Sequence, residues 1–131
     1  MTVLVDTNVL LRWIEHHDSD HLIAIASVKL LRQRGLPMYV ATQNLIEFWA
    51  VATRPRSVNG FNMPPEMVDE EISKILDFFP LTPELPTLFD EWRRLVVSCG
   101  VASRQVHDAR LAALIWASGI SHILTFNIND C

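Results

Sequence analysis

The sequence contains few cysteines and has no surplus of positive charge. Its two cysteines, Cys99 and Cys131, do not match any zinc-ligand spacing, so we expect reduced thiols of a cytoplasmic protein. Eleven Lys and Arg residues against 15 Asp and Glu residues give a formal net charge of −4. A protein that binds nucleic acid by neutralising phosphates usually has a basic surplus, so this mode of binding is disfavoured. An acidic protein can still act on nucleic acid where metal ions supply positive charge locally.

Long hydrophobic runs are also missing. Half of the 131 residues are hydrophobic, yet no apolar run approaches the roughly 18 residues needed to cross a bilayer. The first residues have no basic region and reach an acid at Asp6, so we expect no signal peptide and no membrane association. The length predicts a single domain over residues 1–131, with enough chain to bury a core.

Short apolar segments alternate with segments of helical periodicity. The predicted strands are Thr2–Val5, Pro37–Ala41, a weaker Phe78–Leu81, and His122–Phe126. The predicted helices are Val9–Ile14, Asp20–Gly35, Thr42–Thr53, Glu66–Asp77, Thr82–Gly100 and His107–Ser118. Strands separated by helices indicate an α/β domain with a mostly parallel sheet of about four strands, covered by helices on both faces.

Polar residues follow three of these strands. Asp6 comes directly after the first strand, Glu47 lies in the second turn of the helix after the second, and Asn127 and Asp130 follow the last. The carboxyl ends of parallel strands meet at one edge of a sheet, where ligands bind. We therefore expect these side chains to converge there.

Asp108 requires a separate argument, because it begins a predicted helix. The residues three, four and seven positions further on are Leu111, Ala112 and Ile115, which predicts that Asp108 lies at the end of a core-facing stripe. The helix dipole favours a carboxylate at that position, but burial without a partner is costly. A bound cation would resolve the conflict.

Each of these residues also has a purely local interpretation. Asp6 and Asp108 are ordinary residues for a helix start, Asn127 and Asp130 are ordinary loop residues, and Glu47 could form an exposed ion pair with Arg54. Their joint convergence is what favours a metal site. Carboxylate and amide oxygens select Mg²⁺ or Mn²⁺ over zinc, and such ions can activate water and stabilise charge on a phosphate.

Three segments carry a resemblance to a known family. The segment Asp6-Thr7-Asn8-Val9-Leu10-Leu11 resembles the opening motif of PIN-domain nucleases, and His107-Asp108-Ala109-Arg110-Leu111-Ala112-Ala113 and Leu124-Thr125-Phe126-Asn127 resemble later ones. The glutamate helix after the second strand also fits. The match extends over nearly the whole chain, and the particular residues of its motifs are similar to those of VapC-type toxins of bacterial toxin–antitoxin pairs.

The resemblance implies a three-layer PIN-like fold and a Mg²⁺- or Mn²⁺-dependent endoribonuclease that hydrolyses RNA phosphodiester bonds. By position, Asp6, Glu47 and Asp108 would be catalytic acids that bind the metal, and Thr7, Asn8 and Thr125 would orient them. Asn127 stands where many relatives carry a fourth acid, with Asp130 as the acid that compensates, directly or through water. The implied partners are RNA and a cognate antitoxin.

The end of the sequence departs from the family pattern, since relatives typically continue into a further edge strand. If Cys131 ends the protein, His122–Phe126 becomes an exposed edge strand, and we expect a homodimer through it. A shortened PIN fold that works only as an interaction protein is the main alternative. A phosphomonoesterase with Asp6 as nucleophile is disfavoured, because Thr7-Asn8 follows it in place of a second aspartate.

Overall fold

Three short strands form a parallel sheet in the computed structural model, which describes residues 1–127. They are β1 (Val3–Val5), β2 (Met38–Tyr39) and β3 (His122–Leu124), in the order β2-β1-β3. Val3 is paired with Met38 on one side and His122 on the other. Because β1 is central, its carboxyl end lies between the ends of its two neighbours.

Six α-helices and one 3₁₀ turn connect and cover the strands within residues 1–127. They are α1 (Thr7–Ile14), α2 (His21–Gln33), α3 (Thr42–Thr53), a 3₁₀ turn at Arg56–Val58, α4 (Pro65–Phe78), α5 (Leu88–Ser98) and α6 (Gln105–Ser118). None of these helices has the length and apolar character that crossing a membrane requires.

The side chains of β1 alternate between two hydrophobic clusters, as the pleat of a strand requires. Val3 and Val5 join a cluster built from α1 to α4, with Phe48 and Ile75 among its fully buried members. Leu4 faces the opposite side and packs with residues of α5 and α6. The sheet is therefore the middle layer between two helical layers, which confirms the predicted α/β architecture.

The third predicted strand, Phe78–Leu81, is wrong. Phe78 is the last residue of α4, and only Leu81 pairs, in a single parallel bridge to Val40. Pro80 has no N–H group to donate to a ladder, although its carbonyl oxygen accepts from Val40 N at 3.0 Å. The described residues thus contain three strands and an isolated bridge in place of about four strands.

Three predicted helix starts differ from the structure by two residues or more, and the first is that of α1, which begins at Thr7 and not at Val9. The helix expected from Thr82 begins at Leu88, because Pro86 lacks an N–H group and disfavours helical backbone at the residue before it. Helix α6 begins at Gln105, two residues before the predicted start at His107.

The predicted core-facing stripe of α6 is confirmed only in part, because Leu111 and Ile115 are partly buried and pack against the cluster around Leu4, whereas Ala112 is exposed. The buried residues of α6 are Ala109, Ala113 and Leu114, whereas Asp108 is exposed. The packed face of α6 is therefore centred on Ala109, Ala113 and Leu114, and Asp108 lies outside it.

Candidate active site

Asp6 is held at the junction of β1 and α1. Its backbone N–H donates to Leu124 O at 3.0 Å, which continues the pairing of β1 with β3. Its side chain caps α1, because Oδ1 accepts from the backbone N–H of Thr7 at 2.8 Å. The carboxylate is therefore fixed at the carboxyl edge of the sheet by the first residue of the helix.

The second oxygen of Asp6 meets the segment that follows β3. The hydroxyl of Thr125 donates to Asp6 Oδ2 at 2.9 Å, and the amide of Asn8 lies 3.5 Å from the same oxygen. Asn8 also donates to Thr125 Oγ1 at 3.0 Å and accepts from the backbone N–H of Phe126 at 3.0 Å. The structure thus places Asn8 and Thr125 against Asp6.

Thr7 connects Asp6 to the helix that carries Glu47. Its hydroxyl lies 3.1 Å from Glu47 Oε2 and 3.2 Å from the carbonyl oxygen of Asn44, and its one proton serves one acceptor at a time. Glu47 is half-buried, and within residues 1–127 it forms no ion pair with Arg54. Glu47 therefore lies at the same edge as Asp6.

Asn44 lies beside Asp6 and Thr7 and was not predicted as a site residue. It is 0% exposed, and its Oδ1 accepts from the backbone N–H of Ala41 at 2.9 Å. Its amide nitrogen lies 3.5 Å from Asp6 Oδ1 and 3.4 Å from Thr7 Oγ1. A polar residue in the first turn, which can bond back to the residue before the helix, was the available sequence signal.

Gln43 and Arg110 were also not predicted as site residues. The buried amide of Gln43 donates to Glu47 Oε1 at 3.2 Å and to the carbonyl oxygen of His107 at 2.7 Å, and it accepts from Arg110 at 3.1 Å. The spacing of four residues between Gln43 and Glu47 indicated that they are neighbours on α3. Nothing in the sequence indicated the contacts with α6.

Asp108 is exposed on the first turn of α6 and makes no hydrogen bond or ion pair with any residue from 1 to 127. Among those residues, no group of three or more His, Cys, Asp or Glu side chains lies close enough together to hold a metal ion. The structure brings Asp6 and Glu47 together through Thr7 and Asn44. It does not bring Asp108 into contact with them.

Asn127 is exposed, and its backbone N–H donates to Thr125 Oγ1 at 2.9 Å. This bond places the residue beside the group that surrounds Asp6. Asp130 lies outside the described residues.

The chemistry of the donor set fits a hard divalent cation. Asp6 and Glu47 present carboxylate oxygens, Thr7 presents a hydroxyl, and His107 reaches this edge only through its backbone carbonyl. Such oxygen ligands suit Mg²⁺ or Mn²⁺, whereas zinc prefers imidazole and thiolate.

A parallel sheet between two helical layers, with the acidic side chains of Asp6 and Glu47 at its carboxyl edge, defines the class of α/β fold to which this chain belongs. Within that class, the PIN domain family profile matches residues 3–129. The chain belongs to the PIN domain family, as the sequence motifs predicted.

Solved structures of VapC proteins and VapBC complexes share this fold. VapBC2 from Rickettsia felis, bound to a DNA fragment from its promoter, superposes with a TM-score of 0.70 and 14% identity, covering 98% of this chain and 89% of that one. The sarcin–ricin loop cleaving toxin VapC20 from Mycobacterium tuberculosis gives 0.67 and 16%, covering 96% and 90%. VapBC-1 from nontypeable Haemophilus influenzae gives 0.63 and 12%, covering 98% and 88%. Comparison with curated proteins gave no match.

Proposed function

We propose that this chain is a Mg²⁺- or Mn²⁺-dependent endoribonuclease that hydrolyses RNA phosphodiester bonds. The observation that carries the proposal is the hydrogen-bonded connection of Asp6 to Glu47 through Thr7 and Asn44 at the carboxyl edge of the sheet. Membership of the PIN domain family supports it, and so does the likeness in fold to VapC20, a toxin that cleaves the sarcin–ricin loop.

In this proposal Asp6, Glu47 and Asp108 bind the cation, which when bound polarises the phosphate and activates water. Thr125 and the backbone N–H of Thr7 each hold one oxygen of Asp6, so the carboxylate presents its remaining lone pairs in a fixed direction. Donors around both carboxylates also offset their negative charge while the cation is absent.

The remaining polar residues complete the proposed site. Asp108 adds a third carboxylate from the exposed first turn of α6, which the bond between Gln43 and His107 keeps beside α3. Asn127 and Asp130 are proposed to contribute further oxygens from the segment after β3. Asn127 supplies no charge, so the proposal assigns the fourth acid to Asp130.

We further propose a role as the toxin of a type II toxin–antitoxin pair in the cytoplasm, with a cognate antitoxin and a second copy of this chain as partners. The support is that relatives of the same fold were solved as VapBC assemblies.

Cleavage of structured RNA tests the enzymatic proposal. Wild-type protein should cut with Mg²⁺ or Mn²⁺ and stop with EDTA, and Asp6→Asn and Glu47→Gln should each lose activity by about 100-fold or more, because each removes a proposed ligand charge. Glu66→Gln, the same chemical change at an exposed residue on α4, is the matched control and should cleave normally.

Full activity of Asp6→Asn, or cleavage that persists in EDTA, would contradict the proposal. Binding of RNA by wild-type protein without any cleavage in Mn²⁺ would favour the alternative of a PIN-fold interaction protein.

A further inference from the structure

Gln43 bridges the two helical layers of the molecule at the edge of the proposed site. It lies on α3, whose buried Phe48 belongs to the cluster on one face of the sheet. Its partners His107 and Arg110 lie on α6, whose buried residues Ala113 and Leu114 belong to the cluster on the other face. Helix α6 packs chiefly against α5, and α3 packs against α1 and α4. Side-chain bonds of Gln43 therefore connect two helices that do not share a large interface.

The hydrogen bonds of Gln43 use both ends of its amide in one orientation. The NH₂ group has two protons, and its acceptors are His107 O at 2.7 Å and Glu47 Oε1 at 3.2 Å. The amide oxygen accepts from Arg110 Nη1 at 3.1 Å. A flipped amide would point its oxygen at a carbonyl and a carboxylate and its NH₂ at a guanidinium, so all three contacts would become repulsive.

Arg110 is itself held from outside the site. Its Nη2 donates to both carboxylate oxygens of Glu84, at 2.8 and 2.9 Å, from the segment that precedes α5. The guanidinium therefore has a fixed position from which it orients the amide oxygen of Gln43.

We propose that Gln43 is a positioning residue that sets the Glu47 carboxylate against the first turn of α6, and that Arg110 locks its amide in the required orientation. This inference rests on the proposed function, because the first turn of α6 carries Asp108. Glu47 is then held at both oxygens, by Gln43 at Oε1 and by Thr7 at Oε2. Residues that orient ligands in this way typically change metal affinity about 10- to 100-fold when they are replaced.

The test compares Gln43→Met with the control Thr53→Val. Methionine keeps the length of the side chain and adds no charge, but it cannot form the hydrogen bonds of the amide. Thr53 lies on the same helix, and its hydroxyl bonds only to carbonyls within α3. Mn²⁺ affinity is measured by calorimetry, and cleavage is measured as a function of Mn²⁺ concentration.

Gln43→Met should bind Mn²⁺ about tenfold more weakly or worse, and half-maximal cleavage should need correspondingly more Mn²⁺. Thr53→Val should keep the wild-type affinity for Mn²⁺, even if it lowers the melting temperature as much as the Gln43 substitution does. Arg110→Met should weaken binding in the wild-type background and add little to Gln43→Met, because the two residues act as one unit.

A metal-free measurement examines the same inference independently. In the NMR spectrum of the apoprotein, the side-chain amide protons of Gln43 should exchange with water slowly, and Arg110→Met should speed this exchange. Exchange in wild-type protein as fast as that of an exposed glutamine would overturn the inference.

The outcomes separate the two proposals. If wild-type protein binds Mn²⁺ but does not cut RNA, the proposed function fails. The Mn²⁺ affinities of the wild-type and substituted proteins still test the role of Gln43. If wild-type protein cuts RNA and Gln43→Met binds Mn²⁺ normally, the inference on Gln43 fails and the proposed function stands. Wild-type protein that binds no Mn²⁺ would overturn both.

Discussion

At the scale of single residues, two of the proposed ligands have opposite surroundings. Asp6 is half-buried and accepts from four donors, two of them at 2.9 Å or less. Asp108 is exposed and has no bonding partner within residues 1–127. The same substitution should therefore affect stability differently at the two positions, even though both are proposed to bind the cation.

Asp6→Asn and Asp108→Asn provide this comparison. The new NH₂ group at position 6 would face donors whichever way the amide is turned, and leaving such groups unpaired costs about 1–3 kcal/mol. Urea unfolding in EDTA should show this loss for Asp6→Asn and almost none for Asp108→Asn, while both variants should lose RNA cleavage. Equal stabilities would show that the donors around Asp6 do not hold it in the native state.

At the scale of elements, helix α3 carries the proposed ligand Glu47 directly before a residue that packs into the core, Phe48. Phe48 is fully buried in the cluster beneath the sheet, whereas Ile46 is 64% exposed. Phe48 packs there together with Ala52, Leu45 and Trp49 of the same helix, and Glu47 lies at the edge of the sheet.

Phe48→Ala should lower the free energy of unfolding by about 3–5 kcal/mol, because it removes buried apolar surface and leaves a cavity. Ile46→Ala, the control, should change it little. Thermal or urea denaturation measures both. A small loss for Phe48→Ala would mean that α3 is held mainly by its other packed side chains, such as Ala52 and Trp49.

At the scale of the whole molecule, a bound cation should stabilise the fold. A ligand that binds the native state and not the unfolded chain adds about 2.7 kcal/mol at a concentration 100 times its Kd. Mn²⁺ should therefore raise the melting temperature of wild-type protein in a concentration-dependent way, and the increase should be much smaller for Asp6→Asn.

Differential scanning fluorimetry over a Mn²⁺ titration measures the effect, with Glu66→Gln as the control that keeps the wild-type response. An equal increase in Asp6→Asn would place the bound cation elsewhere on the molecule.

Much of this architecture could be predicted from local patterns in the sequence. The alternation in Val3-Leu4-Val5 encodes a strand with two covered faces, and the helical periods locate six helices. The meeting of Asp6 with Glu47 was also predictable, because the carboxyl ends of parallel strands share one edge of the sheet. These features depend on residues close together in the chain and on a general rule of topology.

The tertiary structure decided the features that depend on how closely the layers approach one another. Helix α6 has apolar residues on more than one face, and in the structure it buries Ala109, Ala113 and Leu114 while Asp108 is exposed. The bonds from Gln43 to His107 and Arg110 span 64 and 67 residues and exist only because α3 and α6 meet across the sheet edge. The hydrophobic periodicity of a segment determines whether it forms a helix or a strand. The face that the element buries, and the distant residues it contacts, depend on the shape of the neighbouring elements.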